Sequence, residues 1–249
     1  RVARFDPATN TWSALGTGAQ NGVSGGEVSA LAVDGSGRVY VGGFFLQAGG
    51  VIANFVARFD PQANTWSTLG TGTQNGVSDE VRALAVDGQG RVYVGGSFTQ
   101  AGGVSANRVA RFDPATNTWS TLGTGAQNGV GGVVNALAVD GQGRVYVGGQ
   151  FAQAGGVSAN RVARFDPQAN TWSTLGTGSS NGLSGIISIL YALAVDGQGR
   201  VYVGGDFTQA GGVSANFVAR FDPQANSWSA LGTGAQNGVN HYVNALAVD

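Results

Sequence analysis

All-β is the fold class this sequence predicts, arranged as a β-propeller of four-stranded antiparallel blades, and three observations carry it. Five tryptophans, Trp12, Trp66, Trp119, Trp172 and Trp228, recur at spacings of 54, 53, 53 and 56 residues. A fixed period of about 50 residues marks a propeller or a solenoid, whose units cannot bury their hydrophobic faces alone. Glycine supplies 44 of the 249 residues, well over twice the usual share of about 7%. Gly-rich turns between many short β-type runs belong to all-β architectures. The third observation is that each unit divides into four short strands.

Residues 137 to 175 illustrate the unit. Leu137-Ala138-Val139-Asp140 reads as strand a, and Gly141-Gln142-Gly143 turns the chain back, since glycine supplies positive φ. Arg144-Val145-Tyr146-Val147 is strand b, rich in β-branched and aromatic residues. It ends on Gly148-Gly149, where the backbone must pass closely or bend. A Gly-rich connection runs through Phe151 and Ala154-Gly155-Gly156 to Asn160. Val162-Ala163-Arg164-Phe165 is strand c, stopped by Asp166-Pro167 because proline has no donor for the ladder. After a turn containing Asn170, Thr171-Trp172-Ser173-Thr174-Leu175 is strand d. Four antiparallel strands make one propeller blade.

A strand b ending in a glycine pair, followed by Phe-Asp-Pro and then Asn-Thr-Trp, resembles the kelch repeat. The runs Arg144 to Gly149 and Val162 to Trp172 carry the likeness, and it recurs through the whole chain. This version is a bacterial-type variant that departs from many kelch repeats by Gly-x-Phe-x-x-Ala-Gly-Gly, preceded by a second glycine, as at Gly96 to Gly103 and Gly205 to Gly212. The resemblance implies a kelch-like propeller and a partner-binding platform, occasionally an enzyme domain, and names no reaction.

Strands a, c and d occur five times and strand b four times. The chain opens on strand c at Val2 to Phe5 and stops after strand a at Leu246 to Asp249. The expectation is a single repeat domain over 1–249, of five blades, whose first and last segments share one blade. The missing strand b implies a continuation of about 20 residues, enough for one more strand and its connections, or an open blade edge that an assembly partner would cover. A larger ring truncated at both ends is the alternative.

Composition excludes several function classes. Charged residues are 11% and the net charge is −1, so no basic stripe exists to neutralise phosphates and nucleic acid is not an expected partner. No apolar run approaches a membrane span. All 13 cations are arginine, and cysteine and methionine are absent, which removes disulfides, thiolate nucleophiles and Cys-type zinc sites. No cofactor and no metal site is expected. The Asp-Gly-x-Gly stretches lack the further ligands of a calcium loop and read as hairpin turns. The absence of lysine and cysteine points to an extracellular or cell-surface protein.

The repeats agree on one edge of the blade and differ on the other. The a–b turns (Asp34-Gly35-Ser36-Gly37 and three Asp-Gly-Gln-Gly) and the c–d turns (Asp-Pro-x-x-Asn) are nearly uniform. The d–a and b–c connections vary: Ser24 to Ser29, Ser78 to Arg82, Gly131 to Asn135, Ser184 to Tyr191 and Asn240 to Asn244. The residue after the glycine pair is Phe44, Ser97, Gln150 or Asp206, and the residue opening strand c is Arg1, Phe55, Arg108, Arg161 or Phe217. Binding residues gather on loops held by a rigid scaffold, so this rim is the candidate functional face. The residues it nominates are Phe44, Glu80, Arg82, Tyr191, Asp206, His241 and Tyr242.

Non-enzymatic recognition of a protein or glycan ligand through the d–a/b–c rim is the leading expectation, with no catalytic residues. A multivalent lectin with one site per blade is a second, from the repeated Gln-Asn-Gly and Gln-Ala-Gly-Gly-Val segments. A glycoside-acting enzyme using Glu27 and Glu80 is a third, since such chemistry needs two carboxylates about 5 to 10 Å apart. A purely structural surface or assembly unit is the fourth. His241, the sole histidine, cannot build a His-rich metal site. The repeated Arg4, Arg58, Arg111, Arg164 and Arg220 are expected to pair with a carboxylate or carbonyl at a blade interface, and the tryptophans to form inter-blade core.

Overall fold

The computed structural model describes residues 2–186 and 188–249. Arg1, assigned above to the rim, and Ile187, within its fourth variable stretch, lie outside the described residues. The described residues form no α-helix. Two compact units make up the chain: Arg1–Ala106 with Ala110–Ser120, and Asn107–Val109 with Thr121–Asp249.

Four sheets have four antiparallel strands in the order a-b-c-d. Repeat 1 uses Glu27–Val33, Val39–Phe44, Val56–Asp60 and Thr65–Thr68. Repeat 2 uses Val81–Val86, Val92–Gly96, Val109–Asp113 and Thr118–Thr121. Repeat 3 uses Val133–Val139, Val145–Gln150, Val162–Asp166 and Thr171–Thr174. Repeat 4 uses Ile189–Val195, Val201–Asp206, Val218–Asp222 and Ser227–Ala230. Ala3–Asp6 and Thr11–Ala14 pair as a two-stranded sheet of their own.

Each glycine pair has two separate jobs. A Cβ on Gly42 would collide with Val81 and Leu84, and one on Gly148 with Leu190, so the first glycine lets the next strand a lie against strand b. A Cβ on Gly43, Gly96, Gly149 or Gly205 would strike the backbone of its own strand a, opposite the register shift at Val28/Ala30, Val81/Ala83, Val134/Ala136 and Leu190/Ala192. The second glycine therefore accommodates a bulge that re-aims the start of strand a.

The core runs from one repeat to the next. Trp66 donates from Nε1 to the Leu15 carbonyl (2.8 Å), Trp119 to Leu69, Trp172 to Leu122 and Trp228 to Leu175. Each of these indoles also packs on the phenylalanine opposite it in strand c, with ring centroids 5.1 to 5.3 Å apart. These four tryptophans are thus the inter-repeat core that their spacing predicts. Trp12 departs from that expectation: it packs on Phe5 at 5.2 Å but is 73% exposed.

Three readings need correction. Leu246–Asp249, expected as a strand a, carries no strand, although Val243 and Leu246 pack against Gly204. Arg58, Arg111 and Arg164 bond neither a carboxylate nor an interface carbonyl through Nε. Each donates to the serine directly across the c–d ladder, Ser67, Ser120 or Ser173, at 3.1 Å. In repeat 4 the buried Arg220 Nε has no hydrogen-bond partner among the described residues. Finally, the Gly-rich b–c connection is not simple loop. It forms a small hairpin in each repeat, such as Gln47–Ala48 with Val51–Ile52, and the d–a segment Val23–Ser24 adds a third strand to it.

Candidate functional site

The a–b turn shows where the charged residues are used. Asp34 accepts from the Ser36 and Arg38 backbone N–H groups, from Arg38 Nε at 2.8 Å and from the Tyr40 hydroxyl at 3.2 Å. Asp87, Asp140 and Asp196 repeat the arrangement with Arg91 and Tyr93, Arg144 and Tyr146, and Arg200 and Tyr202. Burial pushes the Asp34 carboxyl up, but the hydrogen bonds from Arg38 and Ser36 together outweigh it and its pKa lies below the usual value. Burial raises the Tyr40, Tyr93 and Tyr146 hydroxyls. Asp at i with Arg at i+4 and Tyr at i+6 was readable as a repeated cluster, and the turn motif alone hid it. These carboxylates are saturated by their own repeat, and among the described residues no group of three or more His, Asp or Glu is placed to hold a metal.

The repeated asparagines of the rim are also committed to structure, while repeated glutamines such as Gln74, Gln100, Gln127 and Gln153 are exposed. Asn75 Oδ1 accepts from the Asn54 N–H, its carbonyl accepts from Asn54 Nδ2, and its own Nδ2 caps Gly72. The pairs Asn107 with Asn128, Asn160 with Asn181 and Asn216 with Asn237 repeat this. These buried or half-buried side chains join the b–c and d–a connections.

The variable rim residues stand on that scaffold. Phe55, Arg108, Arg161 and Phe217, which open strand c, all have φ between 63° and 67°. This left-handed region is uncommon for bulky residues. Phe55 N–H donates to the Phe45 carbonyl and its own carbonyl accepts from Gly43, so the backbone is fixed and the side chain is free to vary. Arg161 uses that freedom to donate to the Ser188 and Phe151 carbonyls.

Among the nominated residues of the first unit, Phe44 meets Phe55 with ring centroids 5.6 Å apart. Glu80 Oε2 pairs with Arg82 Nε at 2.9 Å. Glu27 lies across the ladder from Phe44. In the second unit Tyr242 contacts Tyr191 edge-on at 6.0 Å and His241 at 4.2 Å. Asp206 ends strand b opposite Ile189. The structure therefore gathers six of the seven nominated residues into a Phe44–Phe55 pair, a Glu80–Arg82 pair and a Tyr191–Tyr242–His241 aromatic cluster, and places Asp206 in none of them.

One cavity on this rim was not foreseen as a unit. About 500 Å³ of space is bounded by Phe44, Phe45, Leu46, Gln47, Ile52 and Phe55, with Ser24 and Gly25 at its edge. Phe44, Leu46 and Ile52 are exposed by 57%, 57% and 66%. Leu46 and Ile52 meet only through the b–c hairpin, which a two-residue ladder does not announce in the sequence.

Four segments, 35–62, 90–115, 143–168 and 199–224, match the family model of a β-propeller domain of unknown function, DUF5122. The chain is 28% identical over 212 residues to the polarized growth protein L1 of Phoma sp., covering 75% of this chain and 15% of that protein. Two crystal structures of the extracellular domain of BT4673 of B. thetaiotaomicron, described as a one-component and a hybrid two-component system, superpose with a TM-score of 0.57. They share 13% and 14% identity, and the match covers 90% of this chain and 25% of each of theirs. This chain thus spans a small part of the length of each of these relatives. No helix among the described residues is long and apolar enough to cross a membrane. Repeated four-stranded antiparallel sheets, the family match and the structural likeness agree: the chain is a β-propeller repeat protein.

Proposed function

We propose that the chain is a non-enzymatic recognition module that engages a protein partner through its d–a/b–c rim. The observation that carries this reading is the fixed left-handed backbone at Phe55, Arg108, Arg161 and Phe217. Glycine would adopt it without strain, yet each repeat places a large side chain there and aims it at the rim. Non-glycine residues in that region cost about 1–3 kcal/mol and tend to persist where function needs them. The opposite edge supports the same reading, because its Asp-Arg-Tyr clusters are saturated within the repeat. A lectin with one site per blade is less favoured, since the repeated asparagines are engaged with one another. A carboxylate pair from Glu27 and Glu80 is less favoured too, since Glu80 is held by Arg82.

The Phe-Asp-Pro turn and the Asn-Thr-Trp strand support a kelch-like reading of the repeat. An extracellular or cell-surface setting is proposed from the likeness to extracellular domains and from the lysine- and cysteine-free composition.

Parallel screens of the whole chain against a random-peptide display library and a glycan array test the reading, with every hit titrated calorimetrically. Peptide hits binding one per chain, and weakened either by E80Q/R82Q in the first unit or by H241S/Y242S in the second, are expected. Equivalent glycan sites on every repeat, or hits indifferent to both pairs and to every other rim substitution, contradict it.

A further inference from the structure

Resting on that rim reading, we propose that the repeat-1 cavity seats one aromatic or large aliphatic side chain presented by a partner polypeptide. Where repeats 2, 3 and 4 carry Ser97, Gln150 and Asp206, repeat 1 has Phe44. Where they carry Thr99, Ala152 and Thr208, it has Leu46; where they carry Ser105, Ser158 and Ser214, it has Ile52. All three changes run from small or polar to large and apolar, and all three line one cavity. Drift would scatter such changes over the hairpins rather than converge them on one space.

The chemistry of the lining selects the occupant. Phe44, Phe45, Leu46, Ile52 and Phe55 make the walls. The polar side chains there, Ser24 and Gln47, bond to each other at 3.4 Å. The walls contain no cation to hold a phosphate or carboxylate, and no spread of donors to match sugar hydroxyls. Free small molecules are mostly taken up in sites that bury about 70–90% of their surface. Here three of the walls are themselves more than half exposed, an apolar patch with a polar edge of the kind that anchors a protein hot spot. Such a seat suits a side chain carried by a larger body whose backbone shields the exposed walls. Glu27, across the ladder from Phe44, favours a partner with an arginine or lysine beside its anchor.

Isoleucine occurs only at positions 52, 186, 187 and 189, so methyl labelling of isoleucine yields four signals, one of them in the cavity. The whole chain is titrated with N-acetylphenylalanine methylamide, with its glycine analogue, with toluene and with N-acetylglucosamine. The ring-bearing amide is expected to shift the Ile52 signal saturably while the other three stay in place, and the glycine analogue and the sugar to leave it unmoved. The variant F44S/L46T installs the residues that repeat 2 carries as Ser97 and Thr99 and keeps Ile52 as reporter. It should weaken the amide by about tenfold or more, the scale of losing a hot-spot anchor; an unchanged far-ultraviolet circular dichroism spectrum and a single cooperative unfolding transition show that it folds.

An Ile52 shift that is equal for the glycine analogue, or unaffected by F44S/L46T, overturns the proposal. Saturation by toluene without a response to the amide does so as well, assigning the cavity to a free apolar molecule. Rim-binding peptides from the screen that are insensitive to F44S/L46T overturn this inference and leave the rim reading standing. The absence of any rim hit removes that reading instead.

Discussion

Gly155 lies against the Trp172 indole so closely that a methyl group on its Cα would overlap the ring at Cδ1, and its φ is 54°. Gly49 with Trp66, Gly102 with Trp119 and Gly211 with Trp228 repeat the contact. The Ala-Gly-Gly of the b–c hairpin is therefore there to cover the tryptophan, and repeat 3 can be unlocked at one atom. Gly155→Ala is expected to cost about 3 kcal/mol or more, combining a left-handed alanine with overpacking. Gly141, in the a–b turn, has nothing within 4 Å of an added Cβ, so Gly141→Ala should stay within about 0.5 kcal/mol of the parent. Chemical denaturation of the two variants checks the contrast.

The tryptophans make a second comparison. Trp172 is buried and bonds the Leu122 carbonyl at 3.0 Å, whereas Trp12 is 73% exposed. Trp172→Phe removes a donor worth about 1 kcal/mol and leaves a gap in the core, for a combined loss of about 2–3 kcal/mol. Trp12→Phe should change stability by less than about 0.5 kcal/mol. Calorimetric unfolding of both variants decides between a shared role and this position-dependent one.

Acid sensitivity follows from the a–b turns. Burial raises the pKa of Asp34 and Asp196, and hydrogen bonds from Arg38 and Ser36, and from Arg200 and Gln198, more than compensate, leaving both lowered. A group depressed in the folded state contributes stability fully above its unfolded value and loses it as pH falls through the folded one. The ordinary aspartate value is about 3.9, so denaturation midpoints should hold steady at neutral pH and fall below about pH 4. Asp34→Asn should flatten that acid limb; an acid limb unchanged in D34N would show that the cluster does not carry it.

Neighbouring phenylalanines of repeat 4 separate scaffold from rim. Phe207 is 1% exposed in the core, while Phe217 is half-buried at φ 64°. Phe207→Ala should cost about 3–5 kcal/mol. Phe217→Gly relieves about 1–2 kcal/mol of left-handed strain, which offsets the contacts it loses, so its net cost should stay below about 1 kcal/mol. Thermal unfolding of the pair is the check, and a Phe217→Gly loss matching that of Phe207→Ala would mean that the rim side chain serves folding.

The scaffold was legible because its rules are local. Val145 to Val147 has strand chemistry, Gly148-Gly149 marks a close approach, Pro167 ends a ladder, and Trp172 returns at a fixed period. Partner choice was less legible. Arg164 was assigned to a blade interface, yet the antiparallel register sets Ser173 directly across from it. Asp140, Arg144 and Tyr146 were read as turn and strand, although their spacing recurs in every complete repeat. Phe44 was nominated, but Leu46 and Ile52 were not, because only the folded b–c hairpin brings them to the same cavity. Side chains joined by three-dimensional return of the chain leave little periodic trace.

Recognition at the d–a/b–c rim is tested by a hydrogen–deuterium exchange footprint of the chain with a peptide hit from the display screen. Protection should be confined to the b–c hairpins and the d–a segments, strongest over Gln47–Ala48 and Val51–Ile52. Protection centred on the a–b and c–d turns, around Asp34 to Arg38 or Asp60 to Asn64, would contradict it.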